Sequence, residues 1–243
     1  MPVEKSRFAL ADGLRARVFF RGTFGYEAAR RATMWNARIP DRYPDVIVQA
    51  RDVYDVVAAV KLAKRERLRI GVRSGGHSWS GNHVRDGGML LDVSRIAAVT
   101  IDKAAQRATA GPGCAGHDLA AQLGEQGLFF PTGHCKGVCL GGYLLQGGFG
   151  WNSRQLGPAC MSVVGLDLVT ADGDMVHASP SENPDLYWAA RGSGPGFFCV
   201  VTRFHLRVFA KPRAMGFALQ TYPVARLEEV FRWAYAVGPQ VPA

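Results

Sequence analysis

The chain alternates between two hydrophobic rhythms, one of strands and one of helices. Residues 46–48 are a short continuous apolar run and read as a strand. Asp52 then stands as an N-cap, and Val53, Val56, Val57, Val60 and Ala63 recur at the i, i+3, i+4, i+7 spacing of an amphipathic helix. Residues 69–73 return to strand character, so this region predicts a βαβ unit with the usual right-handed crossover. Further strands are expected over 89–93, 98–101 and 107–110, followed by a helix over 117–126 with Gly127 at its C′ position. Residues 162–170 are apolar and β-rich, and Ala171-Asp-Gly-Asp174 predicts a hairpin turn into 175–177. Asn183-Pro184 predicts a helix start, with a capping side chain and proline at N1. A strand over 199–209 closes this region. Upstream, 26–35 reads as a short helix. Beyond Lys211-Pro212 the pattern changes, and 215–221 (strand) and 224–235 (helix) read as the opening of another domain.

Two glycine-rich loops interrupt this pattern. Strand 69–73 runs straight into Ser74-Gly75-Gly76-His77-Ser78-Trp79-Ser80-Gly81, where a dinucleotide fold would place G-x-G-x-x-G and a helix; neither that motif nor a Walker P-loop is present. Between Gly133 and Gly157 eight residues are glycine, and no Asp or Glu occurs between Glu125 and Asp167. Such a segment lets backbone amides approach an anionic ligand without a competing carboxylate. The bland alternative is a set of tight turns.

Composition narrows the field. The 48% hydrophobic and 20% charged content is that of a globular protein, and no apolar run reaches the roughly 18 residues of a membrane span. Five cysteines form no C-x-x-C pair, and the N-terminus lacks a signal-like apolar core, so a reducing, cytoplasmic setting is expected. The net charge is +9; residues 1–70 carry 15 Lys/Arg against 8 Asp/Glu, a net of +7. The cations are scattered among acids with no recognition motif, which argues against nucleic acid and for solvated faces that partly serve an anionic cofactor. No metal site is expected, because His134, Cys135 and Cys139 do not have a familiar zinc spacing.

His77 alone would more often be a structural histidine, and Cys135 alone a buried inert thiol. Some 58 residues apart and each in its own glycine loop, they point to two nucleophiles converging on one large anionic ligand. Val72-Arg-Ser-Gly-Gly-His-Ser-Trp-Ser80 and Phe130-Pro-Thr-Gly-His-Cys-Lys-Gly-Val-Cys-Leu-Gly-Gly142 resemble the two flavin loops of the berberine bridge enzyme-like oxidoreductases, which carry a PCMH-type (vanillyl-alcohol oxidase-type) FAD domain. Asp185-Leu-Tyr-Trp-Ala-Ala-Arg-Gly192 and Val200-Val-Thr-Arg-Phe204 are similar to later motifs of that family.

The resemblance implies an α+β fold. A PCMH-type FAD-binding domain of two α/β subdomains (44–210) would follow an N-terminal segment (1–43) and precede the incomplete start of an α/β substrate domain (211–243). It implies FAD bound covalently by an 8α-histidyl link to His77 and a 6-S-cysteinyl link to Cys135. Arg73, Ser74, Gly75, Gly76 and Ser78 would form the turn holding the pyrophosphate; Gly133, Gly141, Gly142, Gly148 and Gly150 the second wall; and Val169 would lie near the adenine. Val138 takes the place that shapes oxygen access. Cys139 departs from the family's usual glycine, and Pro195-Gly-Phe-Phe-Cys199 from its Gly-Gly-Asn-Phe-Gly run. The implied partners are a small organic substrate (an alcohol, sugar or secondary metabolite) and O2, with no residue identifiable as the substrate base. A truncated, non-catalytic flavin binder shares every one of these motifs.

Overall fold

The computed structural model describes Leu14, residues 18–216 and residues 219–241. Strands β1 (Val18–Phe20), β2 (Val46–Gln49), β3 (Ile70–Arg73) and β4 (Met89–Asp92) form one sheet in the order β1-β2-β4-β3. β2 and β3 run parallel to β4, and β1 antiparallel to β2. The expected βαβ unit is present, with β4 inserted between its two strands. All four residues of β4 are buried, as a central strand covered on both faces requires.

Helix α1 (Tyr26–Ala32) ends sooner than its apolar pattern predicts. Helix α2 (Val53–Arg65) begins as expected, with the Asp52 carboxylate accepting the Asp55 amide at 2.9 Å. Alternation along β2 sorts its side chains. Val46 and Val48 pack with Met89 and Leu91 against Val56, Ala59, Val60 and Ala63 of α2, while Ile47 and Leu90 face Tyr26 and Ala29 of α1.

The second sheet is antiparallel throughout, in the order β5-β6-β10-β8-β9: β5 (Val99–Asp102), β6 (Arg107–Ala110), β8 (Val163–Val169), β9 (Met175–Ala178) and β10 (Val200–Arg207). Its apolar face (Leu166, Leu168, Phe204, Leu206) is covered by Leu119 and Leu123 of α3 (Gly116–Glu125) and Leu140 and Leu144 of α4 (Leu140–Leu145). A small ribbon pairs β7 (Leu128–Phe129) with β11 (Phe209–Ala210). Gly127 ends α3 at φ +72° and Gly173 turns the β8–β9 hairpin at φ +84°, both as their positions predict. The short α5 (Ser153–Leu156) and α6 (Pro184–Ala189) lie in the connections.

Three local expectations are corrected. Asn183 does not cap α6: its own backbone is left-handed (φ 46°), and its side-chain amide donates to the His177 carbonyl at 2.6 Å. Residues 215, 216 and 219–221 form no strand, and 217–218 lie outside the described residues. The helix expected over 224–235 is a 3₁₀ turn (Val224–Arg226) followed by α7 (Leu227–Val237). None of the residues of α7 is buried, and Leu227, Phe231, Trp233 and Tyr235 are exposed. No helix among the described residues is long and apolar enough to cross a membrane.

Candidate functional site

The site forms where the two sheets meet, between the loop leaving β3 and the glycine-rich segment around α4. The first loop is built outward from Arg73. Parallel register sets Arg73 beside Asp92, and the partly buried pair closes at 3.0 Å. The same guanidinium donates to the Thr33 carbonyl (3.2 Å) and the Gly75 carbonyl (3.4 Å). Arg73 therefore acts as a hub of the loop, its donors occupied by protein. Thr33 also receives Nε2 of His83 at 3.1 Å, and the Trp35 amide donates to the Gly76 carbonyl at 3.2 Å. The Trp35 ring stacks on the His77 imidazole, with centroids 5.0 Å apart and planes inclined by 20°. His77 Nδ1 lies 3.2 Å from the Gly75 carbonyl. Residues 33–35 thus clamp the His77 loop by its backbone and by the imidazole ring. Sequence reasoning missed this clamp, because it read Thr33 and Trp35 as the end of the short helix expected over 26–35, whereas the helix stops at Ala32.

Burial pushes the His83 imidazole down to about 4, because a charge there would lose its water. His83 is 8% exposed and neutral in the fold. The unfolded chain, with an ordinary histidine near 6.5, binds the proton first as pH falls, so stability present above about 6.5 is lost between there and about 4. Over that window wild type is expected to lose on the order of 3 kcal/mol. Denaturant titrations at stepped pH check this: His83→Gln, which keeps a donor but has no titrating group, should lose most of the slope.

The second loop is organised by Tyr143, also missed from sequence. Its hydroxyl donates to the Pro131 carbonyl at 2.6 Å, and burial pushes its pKa up to about 12, so it remains a donor. Gly133, Gly148 and Gly150 surround it: a Cβ would meet the Tyr143 ring at 3.3 Å from Gly133 and 2.7 Å from Gly148, and the Thr132 carbonyl at 2.4 Å from Gly150. These glycines admit the tyrosine strut. A different set lets the two loops touch. A Cβ on Gly141 would stand 2.1 Å from Ser74 Oγ, one on Gly75 3.0 Å from Cys139 Sγ, and one on Gly137 2.9 Å from the His77 ring.

Between the loops lies a cleft of about 580 Å³. Arg73, Ser74, Gly75, Gly76, His77, Ser78, Gly141, Gly142 and Gly148 line it; Gly133, Cys135, Gly150 and Val169 do not. Cys135 is exposed, on a turn closed by the Val138 amide donating to its carbonyl at 3.1 Å, whereas Val169 is buried among the core residues of the first sheet. Cys139 and Val138 reach the cleft, and burial holds the Cys139 thiol above its ordinary pKa. Of the lining cations Arg73 is already paired with Asp92, leaving Arg85, and no Asp or Glu lines the cleft, which suits an anion. Trp79 and Phe149 add exposed aromatic surface to the lining, and Gly142 has nothing within 4 Å of where a Cβ would sit. An acid-free cleft with apolar walls and a bare glycine fits a dinucleotide that carries a flat aromatic ring.

Comparison with known proteins agrees. A model of the FAD binding domain family matches residues 44–179. The chain is 43% identical over 208 residues to FAD-linked oxidoreductase nodO of Hypoxylon pulicicidum, covering 86% of this chain and 46% of that protein. It is 35% identical over 210 residues to (R)-6-hydroxynicotine oxidase of Paenarthrobacter nicotinovorans, covering 86% of this chain and 45% of that one. The solved structure of BBE-like 1 from Physcomitrella patens superposes with a TM-score of 0.74 at 34% identity, covering 80% of this chain and 42% of that one. The chain spans about half the length of the curated relatives it matches. Two loops of the expected sequence, packed into one acid-free cleft on a fold shared with these proteins, place this chain in the FAD-binding domain family of the FAD-linked, berberine bridge enzyme-like oxidoreductases.

Proposed function

We propose that this chain is the flavin-holding part of an FAD-dependent oxidoreductase that oxidises a small organic molecule, such as an alcohol, sugar or secondary metabolite, with O2 or another acceptor taking the electrons. The observation that carries this reading is the acid-free cleft between the His77 and Gly141–Gly142 loops. Bound FAD would supply the two-electron chemistry, accepting hydride from the substrate. The chain's residues hold and orient it. Amides of 74–78 and of the α4 loop would hold the phosphates. His77 would tether the ring from the cleft wall with its imidazole fixed by the clamp of residues 33–35, and Cys135, exposed outside the cleft lining, would supply the second tether. A doubly tethered flavin cannot leave an open site. Cys135 is well suited to its tether, being the exposed thiol of the loop, while Cys139 is partly buried.

A second reading, a chain that holds flavin without turning substrate over, is favoured by one observation. The cleft lining has no carboxylate, His83 and Tyr143 are each bonded to a backbone carbonyl, and His77 is the proposed tether, so no free base lines it among the described residues. Acid precipitation of the purified protein tests the tethers, and anaerobic mixing with candidate substrates tests turnover. The pellet should be yellow in wild type and in His77→Ala and Cys135→Ala alone, each retaining one link, and colourless in the double variant. Double attachment surviving in either single variant would sink the assignment, as would a colourless wild-type pellet. Yellow protein that no substrate bleaches would leave the second reading.

A further inference from the structure

The second sheet carries a side-chain cluster outside the lining of the first cleft, on the face opposite its apolar core. Asp167 on β8 and His177 on β9 are register partners, and His205 on β10 stands opposite Gly165, two residues along β8. Nδ1 of His177 and Nε2 of His205 each lie 2.9 Å from the same oxygen, Oδ1 of Asp167. The three donor atoms fall within 4.8 Å of one another. The imidazoles meet edge to face at 5.1 Å. Gly165 makes the arrangement possible, since a Cβ there would stand 3.0 Å from Cε1 and 3.1 Å from Nε2 of His177. A side chain at 165 would crowd that ring and force it to shift.

We propose that Asp167, His177 and His205 form a binding site for a divalent transition cation of the zinc class. Two imidazole nitrogens and one carboxylate oxygen are a donor set that zinc takes at about 2.0–2.2 Å, with water in the remaining position. Imidazole donors favour zinc, nickel or copper over calcium or magnesium. Coordination through Nδ1 of His177 and Nε2 of His205 moves the ring protons to the opposite nitrogens, which have no protein partner among the described residues. A second cleft of about 490 Å³, lined in part by Asp167, His177 and Thr202, gives the remaining ligand room. The nearby cation Arg203 approaches the other carboxylate oxygen, Oδ2, at 3.6 Å, leaving Oδ1 to the site. Its charge weakens metal binding, which sets the expectation at micromolar affinity. The spacing could not reveal this site, because the three residues come from three strands.

The test is zinc titration of the full chain after chelator stripping, by calorimetry and by elemental analysis following dialysis. Wild type and a Cys135→Ser/Cys139→Ser variant should each take up one equivalent with micromolar affinity. His205→Gln and Asp167→Asn, which preserve size, should bind more than about tenfold more weakly, since even the loss of a group that merely supports a ligand costs that much. Circular dichroism of each variant checks that the sheet is intact. Equal affinity in wild type and His205→Gln would overturn the proposal. So would loss of zinc in the cysteine variant, which would put the metal on the thiols, or the absence of saturable micromolar binding in wild type. None of these readouts depends on flavin.

Discussion

Gly142→Leu is expected to abolish flavin retention without harming the fold. Gly142 sits in helix α4, lines the cleft, and has no atom within 4 Å of the position a Cβ would take. The first carbon of a leucine side chain there meets no protein, and from the cleft wall the chain projects into the space read as the cofactor's. Glycine within a helix costs about 0.5–1 kcal/mol relative to a good helix former, so the variant should be as stable as wild type or slightly more so. The non-covalent affinity that must precede tethering should nevertheless fall by at least about 100-fold, a loss of about 2.7 kcal/mol in binding. Flavin absorbance per protein and the thermal midpoint, measured on the same preparation, separate the two effects. Normal flavin content in a well-folded Gly142→Leu protein would show that the cofactor lies elsewhere.

Gly76→Ala should instead unmake the site through the fold. Gly76 has φ +70°, and a Cβ would stand 2.0 Å from the Thr33 carbonyl oxygen. A backbone atom cannot swing aside as a flexible side chain can. Relief requires residues 33–35 to withdraw, breaking the bonds from Arg73 and His83 to Thr33 and the bond from the Trp35 amide to Gly76. The stack of Trp35 on His77 goes with them. A left-handed conformation alone costs an alanine about 1–2 kcal/mol; with the clash and lost bonds the expected destabilisation exceeds about 3 kcal/mol. Gly127→Ala isolates the first component, because Gly127 is also left-handed (φ +72°) but has nothing within 4 Å. Its denaturant midpoint should drop by the smaller amount only. Comparable losses in the two variants would mean that the clamp contributes nothing. Gly76→Ala should also cost His77 its tether to flavin, visible as colour released into the acid supernatant when the change is made in a Cys135→Ala background.

These two glycines mark the limit of what glycine counting can reveal. The density of glycine between Gly133 and Gly157 reads as a ligand-facing surface, and part of it is. Gly142 opens on the cleft, but Gly133 and Gly150 make room for the Tyr143 ring and its hydrogen bond to Pro131. From sequence the two uses look the same, since both demand only the absence of a side chain. Likewise Arg73 stands in the motif as a phosphate-loop residue, yet its guanidinium is occupied by Asp92, Thr33 and Gly75. Arg85, which the motif does not mark, joins it in the cleft lining.

By itself, the sequence determined the main strands and helices between 46 and 207, and the family. The α2 stripe, the Asp52 cap, the left-handed Gly127 and the β8–β9 turn all depend on residues a few positions apart, so their physics is complete within a short window. The two loop motifs are likewise contiguous, which is why FAD was legible before any coordinate. Tertiary structure decided the insertion of β4 between β2 and β3, the clamp that joins Thr33 to Arg73 across 40 residues, and the exposure of Cys135. It also brought Asp167, His177 and His205 onto one carboxylate oxygen. Each of these is a contact between segments remote in the chain. Which remote segments meet depends on burying the apolar faces of two whole sheets at once, a condition that no local pattern encodes.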